Sequence, residues 1–369
     1  MDALFITNLE INENEGIYKK IYAEASAIGK IIGRCKLLMK YGSGTKVVDT
    51  FSEKESVKEL DVLSLAKKYV DENLLKLIYI RRMVPNPLLI VLMKSAKKRR
   101  IKVFYEVPTY PYYWEQFTSS RKKYRAIAKI AIDVLFSPLI KKYVDHIVII
   151  KSNSKVHLNN KMIEITNGVN TENIISKKNY ALKDGIFRMV TVGTLFPYHG
   201  YDRILSGLRS CNEEVDDHPV EFHVVGTSYT INKLKVQAQR LGLKRVIFHG
   251  IRTTAELNEM YENYDVGLGC LALHRRNADI DTTLKVIEYY CRGIPVATSG
   301  KSPYEDPSVT IQIPDGENPI NIYDIYDKWK KMDVNKLKML STQAREEFSW
   351  DSIMSRLLIT CNIVQKGAL

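Results

Sequence analysis

The sequence is poor in cysteine, and the few present are not arranged for bonding or for metal. Five of the 369 residues are cysteine (Cys35, Cys211, Cys270, Cys291, Cys361). No two form a CxxC pair, and none joins a histidine at zinc-ligand spacing. A disulfide framework and a structural metal are therefore not expected, and a reducing interior is. No apolar run reaches the ~18 residues that span a bilayer. The most hydrophobic stretches, Leu88–Met93 and Ile130–Phe136, are short, and Asp133 interrupts the second. The N-terminal MDALFITNLE has no basic segment leading into an apolar one, so no signal peptide is expected. These absences point to a cytoplasmic protein, soluble or peripheral on the inner face of the cell membrane.

Hydrophobic residues make up 45% of the chain and charged residues 26%, a globular composition. The length suits two domains. The net charge of +13 is unevenly spread. Residues 1–170 hold 30 basic and 17 acidic side chains, and the remainder hold 25 of each. The chain divides electrostatically near its midpoint.

Short apolar runs alternate with longer amphipathic ones, the βα rhythm of parallel sheets covered on both faces. In the first half this predicts strands at Ala3–Thr7, Lys36–Met39, Leu77–Ile80, Ile101–Tyr105, His146–Ile150 and Met162–Thr166. Helices are predicted near 17–29, 57–70, 87–99 and 118–136, and the pattern over 40–55 is undetermined. A weakly patterned stretch at 171–185 reads as a linker. The second half predicts strands at Arg188–Val192, Glu221–Val225, Val246–His249, Val266–Gly269, Pro295–Thr298 and Thr310–Ile313. Its helices fit 201–210, 231–241, 254–263, 283–292 and 320–331. The expected fold class is α/β, two doubly wound Rossmann-like domains facing across a cleft. Ligands of such sheets bind beyond the C-terminal strand ends.

In the second half the residues become specific. Val192-Gly193-Thr194-Leu195 through His199-Gly200 forms a glycine-flanked turn after the first strand. His223-Val224-Val225-Gly226 ends the next strand, and Val246–Gly250 ends in Phe-x-Gly. Ile287-Glu288-Tyr289-Tyr290-Cys291-Arg292-Gly293-Ile294-Pro295-Val296 forms a helix-to-strand segment. Ile165-Thr166-Asn167-Gly168-Val169 precedes the set, and Phe348-Ser349-Trp350 follows it. This ordered set resembles the C-terminal domain of GT-B glycosyltransferases, in particular the retaining enzymes of glycosyltransferase family 4. The Tyr-Glu-Val-Pro-Thr-Tyr-Pro stretch resembles the bacterial surface-polysaccharide type. The resemblance implies an acceptor-binding domain over 1–170 and a nucleotide-sugar-binding domain over 171–347. It implies a helix over 348–369 that crosses back to the first domain.

The resemblance also implies the chemistry. The protein would be a retaining, metal-independent hexosyltransferase. It would move a sugar from a nucleoside diphosphate, UDP favoured, to a glycan acceptor, lipid-linked, in surface-polysaccharide biosynthesis. No cofactor is implied. Glu288 would accept hydrogen bonds from the ribose hydroxyls. Thr283 and Leu284 open the same helix and offer free backbone N–H groups to the diphosphate. Lys285 adds a positive charge on that first turn, where a cation is unfavourable unless an anion is present. Gly193 lies in the turn that would bind the donor, and Gly16 in the loop that would let the acceptor domain approach the donor phosphates. Ile251 and Arg252 lie in the loop where the base would bind.

The chain also departs from the family. Thr194 and His199 stand where the family has Arg and Lys. His199 keeps a hydrogen-bond donor, and Lys285, Arg275 and Arg276 are candidates for the missing charge. The family's first paired glutamate falls at Ile280, between Asp279 and Asp281. Asp281 is a candidate either for the donor sugar or for a helix cap. On the acceptor side Glu106 is expected at a strand end facing the transferred sugar, as the catalytic residue that stabilises developing positive charge on the sugar or orients the acceptor hydroxyl. Gly16, within Asn14-Glu15-Gly16-Ile17, and Tyr110 lie on the same side.

The basic surplus has its own candidate partner. Basic residues at 121, 122, 125 and 129 and apolar ones at 124, 127, 130, 134 and 135 form an amphipathic helix beside Trp114. That pattern suits an anionic membrane surface and a polyprenyl-diphosphate-linked acceptor. No helix-turn-helix, RNP or zinc-finger pattern is present, so no nucleic-acid partner is expected. Two other readings stand beside transfer: a catalytically silent GT-B subunit supporting an active partner, and a sugar-nucleotide epimerase.

Overall fold

A computed structural model describes residues 2–10, 16–72, 74–120, 122–304 and 306–365. Among these the chain divides into two compact units. One comprises Met1–Lys151, Lys155–Thr166 and Trp350–Leu369; the other comprises Ser152–Ser154 and Asn167–Ser349.

The first unit runs β1 (Asp2–Ile6), α1 (Gly16–Ile32), β2 (Cys35–Tyr41), β3 (Gly44–Asp49), β4 (Glu55–Lys58), α2 (Val62–Glu72), β5 (Leu75–Arg81) and α3 (Pro87–Lys98). It continues with β6 (Lys102–Tyr110), α4 (Tyr113–Ser119), α5 (Lys123–Tyr143), β7 (His146–Lys151) and β8 (Met162–Ile165). The eight strands lie in the order β4-β3-β2-β1-β5-β6-β7-β8. From β2 to β8 the pairing is parallel, and β3 and β4 extend the sheet as antiparallel strands. The undetermined 40–55 stretch is this extension. The helix expected from residue 57 starts only at Val62, because β4 takes Glu55–Lys58. The helix expected over 118–136 is two helices, α4 and α5.

Both faces of this sheet are covered. Ala3, Phe5, Leu77 and Phe104 pack under Ile21, Ile28, Met354 and Leu358. The other face buries Leu4, Ile78, Val103 and Ile149 with Leu63, Leu92 and Ile140. Helix α3 starts where Asn86 accepts a hydrogen bond from Leu89 N (3.0 Å) ahead of Pro87. Asp133 interrupts an apolar run for a reason: it is buried and paired with Arg82, whose guanidinium lies 3.5 Å from the centroid of the Tyr112 ring.

The second unit runs β9 (Phe187–Val192), α6 (Tyr201–Ser210), β10 (Glu214–Val215), β11 (His218–Val225), α7 (Tyr229–Arg240), β12 (Val246–Gly250), α8 (Thr254–Tyr261) and β13 (Val266–Leu268). It continues with α9 (Leu284–Cys291), β14 (Val296–Thr298), β15 (Thr310–Gln312), α10 (Ile322–Lys330) and α11 (Val334–Phe348). Its sheet is ordered β10-β11-β9-β13-β14-β15, with β12 paired to β11. All its pairings are parallel except the short β10–β11 hairpin. Helix α9 seats on the sheet through Tyr289, whose ring lies over Gly267; any side chain at Gly267 would collide with it. The last helix, α12 (Trp350–Thr360), belongs to the first unit and packs on α1.

Candidate functional site

The C-terminal ends of β9 and β11 carry two glycine turns in direct contact. Gly193 has φ +113° and donates its N–H to Val225 O (2.9 Å), and Gly226 has φ +126°. A side chain at Gly226 would strike the Gly193 carbonyl, whereas one at Gly193 would meet open space. The backbone at Gly193 is therefore approachable from outside the sheet.

The chain then tightens into a single turn, Pro197–His199, and Gly200 (φ +69°) redirects it into α6. The His199 ring is buried, and its Nδ1 accepts from Phe196 N (2.9 Å). That bond assigns the proton to Nε2, which makes His199 a donor. Burial, then Lys285 and Arg276, hold its pKa well below the usual histidine value. His199 is thus neutral, with one N–H to offer.

Lys285 stands on the first turn of α9. Its Nζ donates to Tyr201 OH (3.1 Å) and Thr191 Oγ1 (3.3 Å). Burial lowers its pKa to about 8, against the weaker pull of Cys270 and Asp281. An ammonium held by two hydroxyls has exchanged water for neutral partners, and an incoming anion restores its preference for charge. Thr283 caps α9 without a side-chain hydrogen bond to the helix. The first N–H groups of a helix lack intrahelical acceptors, so those of Leu284 and Lys285 are open to a ligand.

Asp281 takes the second of its two expected roles, bracing the start of α9. It is fully buried, and its two oxygens accept from Cys270 N (2.5 Å), Thr298 Oγ1 (2.9 Å), Thr283 Oγ1 (2.7 Å) and Thr283 N (3.2 Å). It braces the approach to α9 and has no oxygen left for a sugar. Asp279 is likewise engaged by Ser154 N (2.6 Å) and the Ser154 hydroxyl.

Glu288 is the fifth residue of α9, one turn in, and not at its start. Its Oε1 accepts both bonds from Arg292, at 2.9 and 3.2 Å, and the side chain is 28% exposed. Arg292 in turn lies 4.0 Å from the centroid of the Tyr261 ring. The pairing fixes the rotamer of Glu288 and leaves Oε2 outside the Arg292 bonds. Ile251 is 74% exposed beyond β12, and Arg252 pairs with Glu256 (3.2 Å) at the start of α8.

In the first unit Glu106 departs most from expectation. Strand β6 continues to Tyr110, so Glu106 lies within the strand and not at its end. The side chain is fully buried and accepts from Arg81 Nη1 (3.2 Å) and Lys20 Nζ (3.3 Å). Glu24 completes the cluster, 3.6 Å from Lys20 Nζ and 3.8 Å from Arg81 Nη1, longer than hydrogen bonds. Its pKa is raised to about 8, by burial first and by Glu106 second. A carboxylate held this way orients its neighbours and does not face a substrate. Gly16 is the exposed first residue of α1; Asn14 and Glu15 lie outside the described residues. Tyr110 ends β6 half-buried against the core.

The structure thus brings Gly193, His199, Thr283, Leu284 and Lys285 to one end of the second unit's sheet. Sequence reading missed Thr191 and Tyr201, which hold Lys285; on a core strand and a core-facing helix they carry no signal apart from packing. It also missed Lys20, Glu24 and Arg81. There a signal existed: Lys20 and Glu24 stand four residues apart beside Ile21, Ala25 and Ile28, the apolar positions of the helix pattern.

No protein-family model matches the sequence, and a search of curated proteins returns no match. The fold, in contrast, is well represented. The chain superposes on sucrose-phosphate synthase from Thermosynechococcus elongatus with TM-score 0.62 at 12% identity, covering 97% of this chain and 98% of the other. The catalytic domain of starch synthase IV from Arabidopsis thaliana, bound to ADP and acarbose, gives 0.60 at 9% identity, with 99% of each chain covered. WaaG, a glycosyltransferase involved in lipopolysaccharide biosynthesis, gives 0.59 at 13% identity over all of both chains. The chain has the GT-B fold of glycosyltransferases.

Proposed function

We propose that this protein is a retaining, metal-independent glycosyltransferase that moves a sugar from a nucleoside diphosphate, UDP favoured, to a lipid-linked glycan in surface-polysaccharide biosynthesis. One observation carries the reading: Lys285 and the buried His199 meet on either side of Tyr201 at the end of the second unit's sheet where the open N–H groups of α9 and the exposed Gly193 turn also lie. Such a group suits the diphosphate, on which negative charge develops as the sugar leaves. The neighbours in the GT-B fold add support, since one was solved with ADP and acarbose and another acts in lipopolysaccharide biosynthesis.

Glu288 is the ribose acceptor in this reading. Glu288→Gln keeps the shape and removes the charge. It should weaken UDP binding about tenfold, the cost of one charge-assisted hydrogen bond, and lower the melting temperature of the free protein, because the buried Arg292 loses its charged partner. Isothermal titration with UDP checks this, and unchanged affinity would remove Glu288 from the site.

A membrane surface is the second partner in the proposal. Among the described residues no helix is long and apolar enough to cross a bilayer. Several apolar side chains of the basic helix are nevertheless exposed: Tyr124, Ile127, Val134 and Leu135, with Trp114 beside them. Apolar side chains beside Lys122, Lys123, Arg125 and Lys129 suit an anionic interface. The wild type should float with phosphatidylglycerol-containing liposomes and stay behind with neutral ones. Reversing those four charges should abolish flotation; equal partition of both proteins would refute the docking.

A further inference from the structure

One loop of the second unit is held by side chains alone. Residues 314–319 follow β15 and join two buried positions, Ile313 and Ile320; among the described residues they make no backbone–backbone hydrogen bond. Arg203, on α6, donates to Pro314 O (2.9 Å) and Asn318 O (2.7 Å). The two acids of the loop, Asp315 and Glu317, are held by consecutive residues of the 3-10 helix Leu273–Arg276, which follows β13. Arg275 donates to both oxygens of Glu317, to both of Asp202 (2.9 and 2.8 Å) and to Pro197 O (2.7 Å).

His274 is the third cation. Its backbone N–H donates to Asp315 Oδ2 (3.0 Å), its Nδ1 lies 2.8 Å from Asp315 Oδ1, and its Nε2 lies 2.6 Å from Glu317 Oε1. An ionised carboxylate can only accept, so both ring nitrogens carry protons in this arrangement and the ring is an imidazolium. Burial works against that charge, but the hydrogen bonds to Asp315 and Glu317 outweigh it and raise the pKa above the usual histidine value. The charged groups around the ring are those two carboxylates, Arg275 beside it, and Asp202 and Arg203 on α6. The arginines stay charged, and Glu317 is held down to about 2 by Arg275 and then by His274. Histidine is the only side-chain type in this group whose ordinary value lies near neutrality.

We propose that residues 314–319 are a strap, fastened to the 3-10 helix by protonated His274 and released when that proton leaves. Loss of the proton takes the donor from one carboxylate and leaves three carboxylates facing two guanidinium groups. The strap is therefore closed below about pH 6.5 and opens as pH rises through the higher value of the folded protein. The fastened segment also props the His199 turn, through Leu271 N to His199 O (3.0 Å) and through Arg275 to Pro197 O. Opening thus loosens one support of that turn, whatever ligand the sheet end takes.

Endoproteinase Glu-C, which cuts after glutamate, reads the strap as cleavage after Glu317, identified by fragment mass; cutting at other glutamates controls for global unfolding. Each variant is compared with the wild type at the same pH, which cancels the pH dependence of the protease. His274→Gln cannot become doubly protonated. It should be cut roughly three- to tenfold faster than the wild type at pH 6 and at nearly the same rate at pH 8.5. His274→Arg keeps the charge. It should match the wild type at pH 6 and be cut roughly three- to tenfold more slowly at pH 8.5. In histidine-labelled wild type, NMR should show the His274 ring titrating above about 6.5, and Glu317→Gln should bring that value down. Rate ratios that do not change with pH, or a His274 ring titrating at or below about 6.5, would overturn the strap.

Discussion

Lys285→Met should weaken nucleoside-diphosphate binding roughly 10- to 100-fold and, at the same time, raise the melting temperature of the free protein. The two effects share one cause. The ammonium is held by Tyr201 and Thr191 hydroxyls, and its pKa falls from 10.5 to about 8. At neutral pH the unfolded chain holds that proton more readily than the folded one, so the charge destabilises the fold. The penalty is full below pH 8 and vanishes as pH rises through the unfolded value. Methionine fills similar space without the charge, and the gain should be on the order of 1–3 kcal/mol at pH 7. In the wild type UDP affinity should fall as pH rises past about 8, where free Lys285 loses its proton. The Met variant should show no such fall. Thermal melts with and without UDP, at pH 7 and pH 9, read all of this. A variant that melts lower and binds UDP normally would mean that Lys285 is only a packing residue.

The second large effect concerns the buried cluster of the first unit. Glu24 is fully buried, and its pKa is raised from 4.5 to about 8. Between those values the unfolded chain releases a proton that the folded chain keeps. Stability is therefore full below about pH 4.5 and declines toward pH 8, by about 1.4 kcal/mol per pH unit at most. Glu24→Gln removes the titration, and its amide can donate toward Glu106. Urea unfolding should show the variant more stable by on the order of 1–3 kcal/mol at pH 8, with little difference at pH 5. A variant less stable at both values would show that ionised Glu24 supports the fold.

The architecture was largely legible because parallel strands buried on both faces read as apolar runs. Strands β9, β11, β12 and β14 fall within three residues of their expected limits. The β3–β4 extension was not legible, since every residue of β4 is exposed and no alternation marks it. Strand β6 was read short because Pro108 looks like a strand end, yet the strand continues through it to Tyr110. That misplaced Glu106 at an end it does not occupy. In the second unit Lys285 stood out because a cation on a helix's first turn opposes the macrodipole. Asp281 could not be resolved, since an aspartate just ahead of a helix gives the same signal for bracing as for ligand contact. Arg275 and Arg276 are chemically identical neighbours, and only the direction of each side chain takes one to Asp202 and the other to the Tyr198 ring.

The seat of α9 on Gly267 has a wider meaning. Lys285 and Glu288 owe their height above the sheet to an aromatic ring resting on a strand position that carries no side chain. Ligand contacts alone would leave out Gly267 and Tyr289, although the reach of every group on that helix is calibrated there. Exchanging exposed loop residues such as Ile251 leaves this gauge intact, whereas transplanting α9 alone onto another sheet would lose it.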